Sequence, residues 1–181
     1  MDRGILFIET YKLFKRRRAW IGPVLVFLLI IISFPLTLDI NSDNPPQIYL
    51  SFIWISTLLV TMLGTELIFS EDFEDGTLEQ YAVNNQLIEI VFYKILVHWA
   101  LIGIPLAFVV FLFTLSLDIS IHISSITLLC LVISNLIFIN FFSLGNALSL
   151  KKGSILGLLI TFPFLIPGLI VLLIITSSPL L

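Results

Sequence analysis

Five long apolar runs, separated by short polar segments, make up most of this 181-residue chain. The runs contain no Asp, Glu, Lys or Arg, are 20 to 32 residues long, and cover residues 19–38, 44–65, 95–117, 119–150 and 153–181. A helix needs about 20 apolar residues to cross the hydrocarbon core of a bilayer. The runs are apolar on every side, unlike the alternating strands of membrane barrels, so the pattern predicts five transmembrane helices.

Composition agrees with a chain that lies mostly in lipid. Hydrophobic residues make up 59% of the chain and charged residues only 12%, and a soluble domain of this size could not bury so much apolar surface. The first apolar run is a full span with no A-x-A cleavage site after it, so we interpret it as a retained helix and not as a signal peptide. We therefore expect an all-α integral membrane protein, with residues 1–181 forming a single transmembrane domain.

The basic residues predict how the helices are oriented. All nine fall in segments that five spans would place on one side of the membrane: Arg3, Lys12, Lys15, Arg16, Arg17, Arg18, Lys94, Lys151 and Lys152. The segments predicted for the other side contain no Lys or Arg. Because Lys and Arg are retained in cytoplasmic loops, the N-terminus is predicted to be cytoplasmic and the C-terminus, after five spans, to lie outside.

The first 18 residues are predicted to form a cytoplasmic interfacial segment. Residues 4–14 are apolar except for interruptions such as Glu9 and Lys12, and three consecutive Arg residues at 16–18 precede the first span. Such a segment is typical of a helix that lies in the headgroup region of a membrane. Trp20 stands where a residue of the interfacial aromatic belt is expected.

Residues 71–80, called the acidic island below, contain five carboxylates, and no Lys or Arg occurs between Arg18 and Lys94. Asp75-Gly76 signals a turn, and Thr77 with Gln80 three residues later matches a capping box. The sequence therefore predicts a cytoplasmic coupling loop over residues 70–89 with a helix of about two turns outside the membrane. Two interpretations stay open: a solvated loop, or a docking surface for a protein that carries complementary basic groups.

Several polar residues occur within or beside the predicted spans. Glu66, near the inner end of the second span, either extends to the interface or has a special role. Lys94 and His98 are four residues apart and share a helix face, with Trp99 beside them; we expect His98 to make a helix–helix hydrogen bond rather than to bind a ligand or a proton. The fourth span carries three amides that are expected to face other helices, Asn135, Asn140 and Asn146.

Motifs for catalysis and ATP binding are absent from the sequence. It contains no G-x-x-x-x-G-K-[ST] phosphate loop, no H-E-x-x-H or G-x-S-x-G motif, and no Cys/His cluster with metal-ligand spacing. The basic run at residues 15–18 is too short and too close to a span to indicate nucleic-acid binding. We expect a non-catalytic membrane subunit with no metal site, whose energy comes from a partner protein.

The spans carry no ATP-binding motif, and a short polar helix is predicted between the second and the third. This arrangement resembles the permease subunits of ABC transporters. More narrowly, residues 5–176 resemble the haem exporter protein B family, the permeases of cytochrome c maturation systems. The resemblance rests on Phe73-Glu74-Asp75-Gly76-Thr77-Leu78-Glu79-Gln80, Lys94, His98-Trp99, Gly103-Ile104-Pro105-Leu106, Ile53-Trp54-Ile55 and the pair Pro163 and Pro167.

The resemblance implies a function and a set of partners. The permease would couple ATP hydrolysis by a separate ABC ATPase subunit to release of a haem chaperone or to haem transport, together with a haem-handling membrane subunit and a small accessory membrane protein. The ATPase would dock on Glu74, Asp75, Gly76, Thr77, Leu78, Glu79 and Gln80. Two ATPase copies would require two coupling helices, hence a homodimer of this chain. ATP is expected on the partner and haem in the complex, and no residue of this chain is assigned as a haem ligand.

The resemblance also implies a location, the bacterial inner membrane, with the mitochondrial inner membrane as the alternative. The family usually has six spans and both termini inside, whereas this sequence predicts five. Two other functions stay open: an ABC-2-type permease that exports another substrate, and a structural assembly factor that holds haem-handling membrane subunits together.

Overall fold

The computed structural model describes residues 3–37, 46–117 and 119–150, together with the single positions 163, 166 and 170. In this part of the chain every regular element is helical, in the order α1 (Arg3–Lys15), α2 (Arg17–Thr37), α3 (Pro46–Thr65), α4 (Ser70–Glu74), α5 (Thr77–Val83), α6 (Leu87–His98), a π-helical turn (Trp99–Gly103), α7 (Ile104–Ser116) and α8 (Ile121–Ser149). The predicted all-α class is confirmed for these residues.

Four helical segments are long and apolar enough to cross a membrane: Arg17–Phe34, Ile48–Glu74, Leu87–Ser116 and Ile121–Ser149. They coincide with the first four predicted spans and define a multi-pass membrane protein. The second segment is longer than its apolar run because α3 is followed by a turn at residues 66–69 and then by α4. The predicted fifth span, residues 153–181, lies outside the described residues apart from three isolated positions.

The four spans pack around a core of fully buried aromatic and aliphatic side chains. α3 contacts both α2 and α8, and α7 packs along α8. Trp54 of α3 and Phe27 of α2 are completely buried there, beside Leu106 of α7 and Leu131 of α8. The outward faces expose large apolar residues such as Leu29 of α2, which is 68% exposed. In water such faces would favour aggregation, but they are the surface expected toward lipid.

The third span changes its helical geometry half-way along, at the π-helical turn Trp99–Gly103. Pro105 stands at the start of α7 and has no N–H, so a regular backbone hydrogen bond cannot form at that position. A local π-helical adjustment is one way in which membrane helices satisfy the carbonyls freed by proline. A Cβ atom added at Gly103 would lie 3.0 Å from Trp99 Cδ1 and 3.1 Å from Asn135 Cβ, so glycine permits the close approach of α8.

Polar side chains join the spans inside the bundle. Asn135 of α8 donates from Nδ2 to the Gly103 carbonyl over 3.0 Å, and its Oδ1 accepts from the Thr61 hydroxyl over 3.1 Å. One side chain thus links the second, third and fourth spans. Trp99 adds a bond from Nε1 to the Val132 carbonyl at 2.9 Å. Because lipid offers no alternative partners, such bonds fix which helix faces meet.

The three Asn residues of α8 do not behave alike. Asn135 and Asn146 are buried and bond to other helices, as predicted; Asn146 donates to the Thr65 carbonyl over 2.6 Å. Asn140 is exposed and donates to the Leu136 carbonyl of its own helix over 2.7 Å, so the prediction is wrong for this residue. An amide can satisfy its donor one turn back along the same helix, and then it needs no neighbouring span.

The charged segments gather at one end of the bundle. α1 packs along α6, while α4 and α5 connect α3 to α6. The bond from Asn146 to Thr65 places the last turns of α8 near the end of α3. The basic N-terminal segment, the acidic island and Lys94 therefore lie at the same end of the bundle, in agreement with the order of the predicted spans.

Candidate functional site

α1 turns charged residues toward the bundle and large apolar residues outward. Glu9 and Leu13 are buried, whereas Phe7 is 70% and Tyr11 is 61% exposed. This is the reverse of a helix on the surface of a soluble protein, but it suits a helix whose outer face meets headgroups and acyl chains. The interfacial role of residues 1–18 stays a prediction, which this apolar outer face supports.

Glu9, Lys12, Asp72 and Lys94 form an ion cluster between α1, α4 and α6. The Lys94 Nζ atom lies 2.9 Å from Glu9 Oε2 and 2.5 Å from Asp72 Oδ2. Lys12 Nζ lies 3.8 Å from Glu9 Oε1 and 3.4 Å from Asp72 Oδ1. Two ammonium groups therefore balance two carboxylates, and each carboxylate faces both cations.

Burial determines how strongly the ion cluster holds its three helices together. The side chains of Glu9 and Lys94 are only 5% and 8% exposed, and that of Asp72 is 4% exposed. Buried charges are tolerated when they are paired, whereas removal of one partner leaves the other uncompensated. Hence α4 cannot move away from α6 and α1 without separating charges in a poorly solvated place.

The outer part of the cluster is more exposed and is extended by a second ion pair. Partial burial alone would lower the pKa of the Lys12 ammonium, but the charges of Asp72 and Glu9 outweigh it and hold that pKa above its ordinary value of 10.5. Arg16, at the elbow between α1 and α2, pairs with Glu71 of α4. The side chains of both partners are about half exposed, so this pair contributes less than the buried ones.

Part of the acidic island is neutralised by cations of the same chain. Its first two carboxylates, Glu71 and Asp72, are neutralised by cations that come from α1, the elbow and α6. Asp72 is buried against α1 and α6 rather than exposed, and its pairing with Lys94 and Lys12 compensates both carboxylate and cations for the loss of water. The acidic surface that remains lies further along the loop.

The turn between α4 and α5 is built by Asp75 and Gly76. Gly76 has φ of +74°, a left-handed conformation that glycine adopts without steric cost. Asp75 Oδ1 accepts from the Thr77 N–H over 3.0 Å and also from the Thr77 hydroxyl. Because these bonds favour the charged form, they lower the pKa of Asp75 below its ordinary value of 3.8, the hydroxyl contributing most.

The capping box predicted at Thr77 is not formed. Thr77 is the first residue inside α5, and Gly76 precedes it as the N-cap residue without a capping side chain. The Gln80 N–H donates to the Gly76 carbonyl over 3.3 Å instead of to the Thr77 hydroxyl. The hydroxyl bonds backward to Asp75, which takes over the stabilisation of the turn.

A short helix is present where one was predicted, as α5 (Thr77–Val83), and none of its residues is buried. The seven predicted docking residues follow one another along the end of α4, the turn and the start of α5. Four are exposed, Glu74, Asp75, Glu79 and Gln80, and three are half-buried, Gly76, Thr77 and Leu78. Glu74, Asp75 and Glu79 thus form an acidic surface with no cation from the ion cluster bound to it.

A cavity of about 750 Å³ lies beside the ion cluster, between the elbow, the end of α3, α4 and α6. Its lining combines basic residues 15–18 with apolar side chains of α2 and α3, and it includes Lys94 and His98. Glu66, whose role the sequence left open, is half-buried in the turn after α3 and also lines this cavity.

His98 and Trp99 are anchored differently from each other. The His98 Nδ1–H donates to the Lys94 carbonyl over 2.9 Å, one turn earlier in α6, so this nitrogen does not make the predicted helix–helix bond. Trp99 does bond to a neighbouring helix, through the Val132 carbonyl. Lys94 and His98 share one side of α6 as predicted, and both reach the cavity. Within the described ranges no three His, Cys, Asp or Glu side chains converge in a metal-binding group.

Sequence reasoning missed Glu9 and Asp72 as partners of Lys94. Both residues were visible as charges, Glu9 as an interruption of an apolar segment and Asp72 as a member of the acidic island. The available signal was Lys94 itself, since a lysine at the start of a membrane span requires a carboxylate or an aqueous exit. Pattern alone does not reveal which of the twelve acidic residues supplies it.

These observations define a multi-pass integral membrane protein that carries a charged helical loop at one end of its bundle. Residues 4–178 match the family model described as CcmB protein, and the chain belongs to that family. It is 31% identical over 169 residues to heme exporter protein B of Pseudomonas aeruginosa, and this alignment covers 92% of this chain and 76% of that protein. The corresponding protein of Haemophilus influenzae is 31% identical over 174 residues, 92% of this chain and 79% of the relative. That of Rhodobacter capsulatus is 29% identical over 173 residues, with 91% and 78% covered.

Proposed function

We propose that this chain is the permease subunit of an ABC-type complex that delivers haem for cytochrome c maturation in the bacterial inner membrane. The chain would couple ATP hydrolysis on a separate ATPase subunit to haem transport or to release of a haem chaperone. Membership of the CcmB family and the relatives named heme exporter protein B support this cargo. The chain itself would be non-catalytic, and the haem-handling and accessory membrane subunits would be its other partners.

The observation that carries the coupling role is the exposed acidic surface of α5 and the turn before it. Glu74, Asp75 and Glu79 are exposed on a loop that leaves the bundle, while the neighbouring Glu71 and Asp72 are already paired. An acidic surface close to an anionic membrane is repelled by it, so a basic protein partner is the favoured neighbour. A cytoplasmic ATPase with a basic groove would fit this surface.

The ion cluster supplies a route by which movement of the loop would reach the spans. α5 follows α4 after a two-residue turn, and Asp72 of α4 is paired with Lys94 of α6 and faces Glu9 and Lys12 of α1. A push on α5 would therefore displace α6 and α1 rather than bend a free loop. Closure of two ATPase copies would move two such loops, for which a homodimer with cytoplasmic N-termini is the simplest arrangement.

The docking proposal can be tested without disturbing the fold of the loop. The double variant Glu74→Lys/Glu79→Lys reverses two exposed charges and leaves the Asp75 cap intact. We expect the partner ATPase to be lost from the complex when the tagged variant is purified in mild detergent. A matched control, Asn84→Lys/Gln86→Lys, places lysines on exposed residues just beyond α5 and should retain the ATPase. Undiminished capture by the first variant would contradict docking at this surface.

The cargo is tested separately, in cells. A strain that carries Glu74→Lys/Glu79→Lys as its only copy should lose haem-stained c-type cytochromes, while the control strain keeps them. Loss of the ATPase with normal c-type cytochromes would support coupling but contradict the haem assignment, in favour of an ABC-2-type permease with another substrate. Normal c-type cytochromes in a strain with an inactive ATPase would contradict the coupling role and favour a structural assembly factor that holds haem-handling membrane subunits together.

A further inference from the structure

The cavity beside the ion cluster has a basic wall and an apolar wall, and four acidic residues also line it: Glu9, Glu66, Glu71 and Asp72. Three of them, Glu9, Glu71 and Asp72, are paired with cations of the cluster or the elbow. One wall is the basic elbow, in which Lys12 and Arg16 are engaged by carboxylates. Lys15, Arg17 and Arg18 also line the cavity, are exposed, and form no ion pair with a carboxylate of the described residues. Three cations are thus available at its rim.

The second wall is apolar and opens sideways. Pro23 and Val26 of α2 face Leu63 of α3 and Leu67 of the following turn across the cavity. Val26, Leu63 and Leu67 are 41%, 50% and 62% exposed, so the space between the two helices is accessible from the outer surface of the bundle. On a membrane protein that surface is the one that meets acyl chains.

The depth of the cavity is indicated by the aromatic residues that flank its basic residues in the sequence. Trp20, at the start of the first span, stacks on Phe14 at 5.7 Å between ring centroids, and the Arg residues lie between them in the sequence. Basic residues followed by an aromatic residue at the start of a span mark the headgroup region. The cations therefore lie at headgroup depth, and the apolar wall extends from there along the spans.

We propose that this cavity binds one phospholipid with an anionic headgroup. The lipid phosphate is held by Lys15, Arg17 and Arg18, and an acyl chain lies along the apolar wall between α2 and α3. Basic pockets between membrane helices are recognised sites for anionic lipids, and a volume of about 750 Å³ is within the range of ordinary ligand pockets. A soluble anion would use only the basic wall and leave the apolar one unoccupied.

Two variants separate the contributions of the two walls. Gly22 lines the cavity, and a Cβ atom added there has no neighbour within 4 Å, so Gly22→Leu should reduce the free space without a clash. Arg17→Gln/Arg18→Gln removes two of the available cations. The control is Leu29→Ala, which alters an exposed residue of α2 that does not line the cavity.

The experiment is native mass spectrometry of the full chain in detergent with added phosphatidylglycerol, phosphatidylcholine or glycerol phosphate. We expect one phosphatidylglycerol per chain, about 30-fold weaker binding for Arg17→Gln/Arg18→Gln, a clear loss for Gly22→Leu, and no change for Leu29→Ala. Melting curves of each variant show whether it is folded.

Three results would overturn the proposal. The first is equal retention of phosphatidylcholine and phosphatidylglycerol, and the second is displacement of phosphatidylglycerol by glycerol phosphate at similar concentration. The third is wild-type binding by both cavity variants. None of these results bears on capture of the ATPase, so the proposal and the docking function can fail independently.

Discussion

Replacement of Lys94 by methionine should detach α4 and α1 from α6. Lys94 is the buried cation of the ion cluster, with Glu9 at 2.9 Å and Asp72 at 2.5 Å, and the substitution leaves these two buried carboxylates facing each other. Lys12 is more distant, at 3.8 and 3.4 Å, and its side chain is 41% exposed, so it cannot replace the lost charge. Methionine fills a similar volume, and hence the effect is electrostatic rather than a packing defect.

The magnitude follows from the burial of the partners. Removing one member of a buried ion pair typically costs about 3–5 kcal/mol, and we expect a cost in that range here because two carboxylates lose their main partner. For a chain of this size each kcal/mol lowers the melting temperature by roughly 2–4 °C, which gives a decrease of about 6 to 20 °C. This is a large part of the total stability of a typical protein, about 5–15 kcal/mol.

The first assay is thermal melting of the purified chain in mild detergent. The second is thiol labelling of Leu13→Cys, a cysteine placed at a buried position of α1, in a chain whose own cysteine is removed by Cys130→Ser. In the Lys94→Met background the melting temperature should fall and Leu13→Cys should react faster, because α1 separates from α6. Lys12→Met, at the exposed side of the same cluster, should cost no more than about 1 kcal/mol.

A neutral version of the cluster provides the decisive comparison. Glu9→Gln/Asp72→Asn/Lys94→Met removes both carboxylates together with the cation, so most of the lost stability should return. If Lys94→Met melts within about 2 °C of the wild-type chain, or if the triple variant is less stable than the single one, the reasoning about buried charge is wrong. In that event the proposed route from α5 to α6 would lose its physical basis as well.

Three further predictions concern single contacts. Asn135→Ala should cost about 1–2 kcal/mol in a melting assay, because two interhelical bonds are lost, whereas Asn140→Ala should leave the melting temperature unchanged; equal shifts would contradict this. Gly76→Ala should weaken ATPase capture and lower the melting temperature by no more than about 2–4 °C, because the left-handed φ costs alanine about 1 kcal/mol; unchanged capture would argue against a fixed turn. The pKa of the Asp75 carboxylate lies below its ordinary value of 3.8 in the folded chain, so the hydrogen bonds from Thr77 to Asp75 are fully formed above the unfolded pKa and are lost only as the pH falls through the folded pKa. Hydrogen-exchange protection of residues 74–83 should therefore be equal at about pH 8 and about pH 5, and a loss of protection at about pH 6 would refute this.

The spans and the short helix could be predicted because each depends on a continuous stretch of sequence. A charge-free run of adequate length has one stable conformation in lipid, so four helices lie where the runs predict them. The helix α5 was predictable because Asp75-Gly76 must turn. Its cap was not, because the Thr77 N–H and hydroxyl donate to Asp75 and the Gln80 N–H donates to the Gly76 carbonyl, a choice of partners that the motif does not encode.

The ion cluster could not be predicted because its members are far apart in sequence. Glu9, Asp72 and Lys94 come together only after α1 folds back along α6, and apolar periodicity says nothing of that packing. A lone Lys94 near a span indicates only that some partner is needed. The same limit applies to the bond between Asn135 and Thr61, for which sequence could predict a helix-facing amide but not its acceptor.

The π-helical turn Trp99–Gly103 sets the rotation of α6 relative to α7, the two halves of the third span. A helix rotates by about 100° and rises about 1.5 Å per residue. The π-helical turn takes up one more residue per turn than regular winding, so deleting one residue from α6 between Lys94 and this turn would rotate Lys94 by roughly that angle relative to α7. Lys94 would then leave Glu9 and Asp72, although no charged residue had been altered. The spacing between Lys94 and this turn is therefore under as strict a constraint as the identity of the lysine.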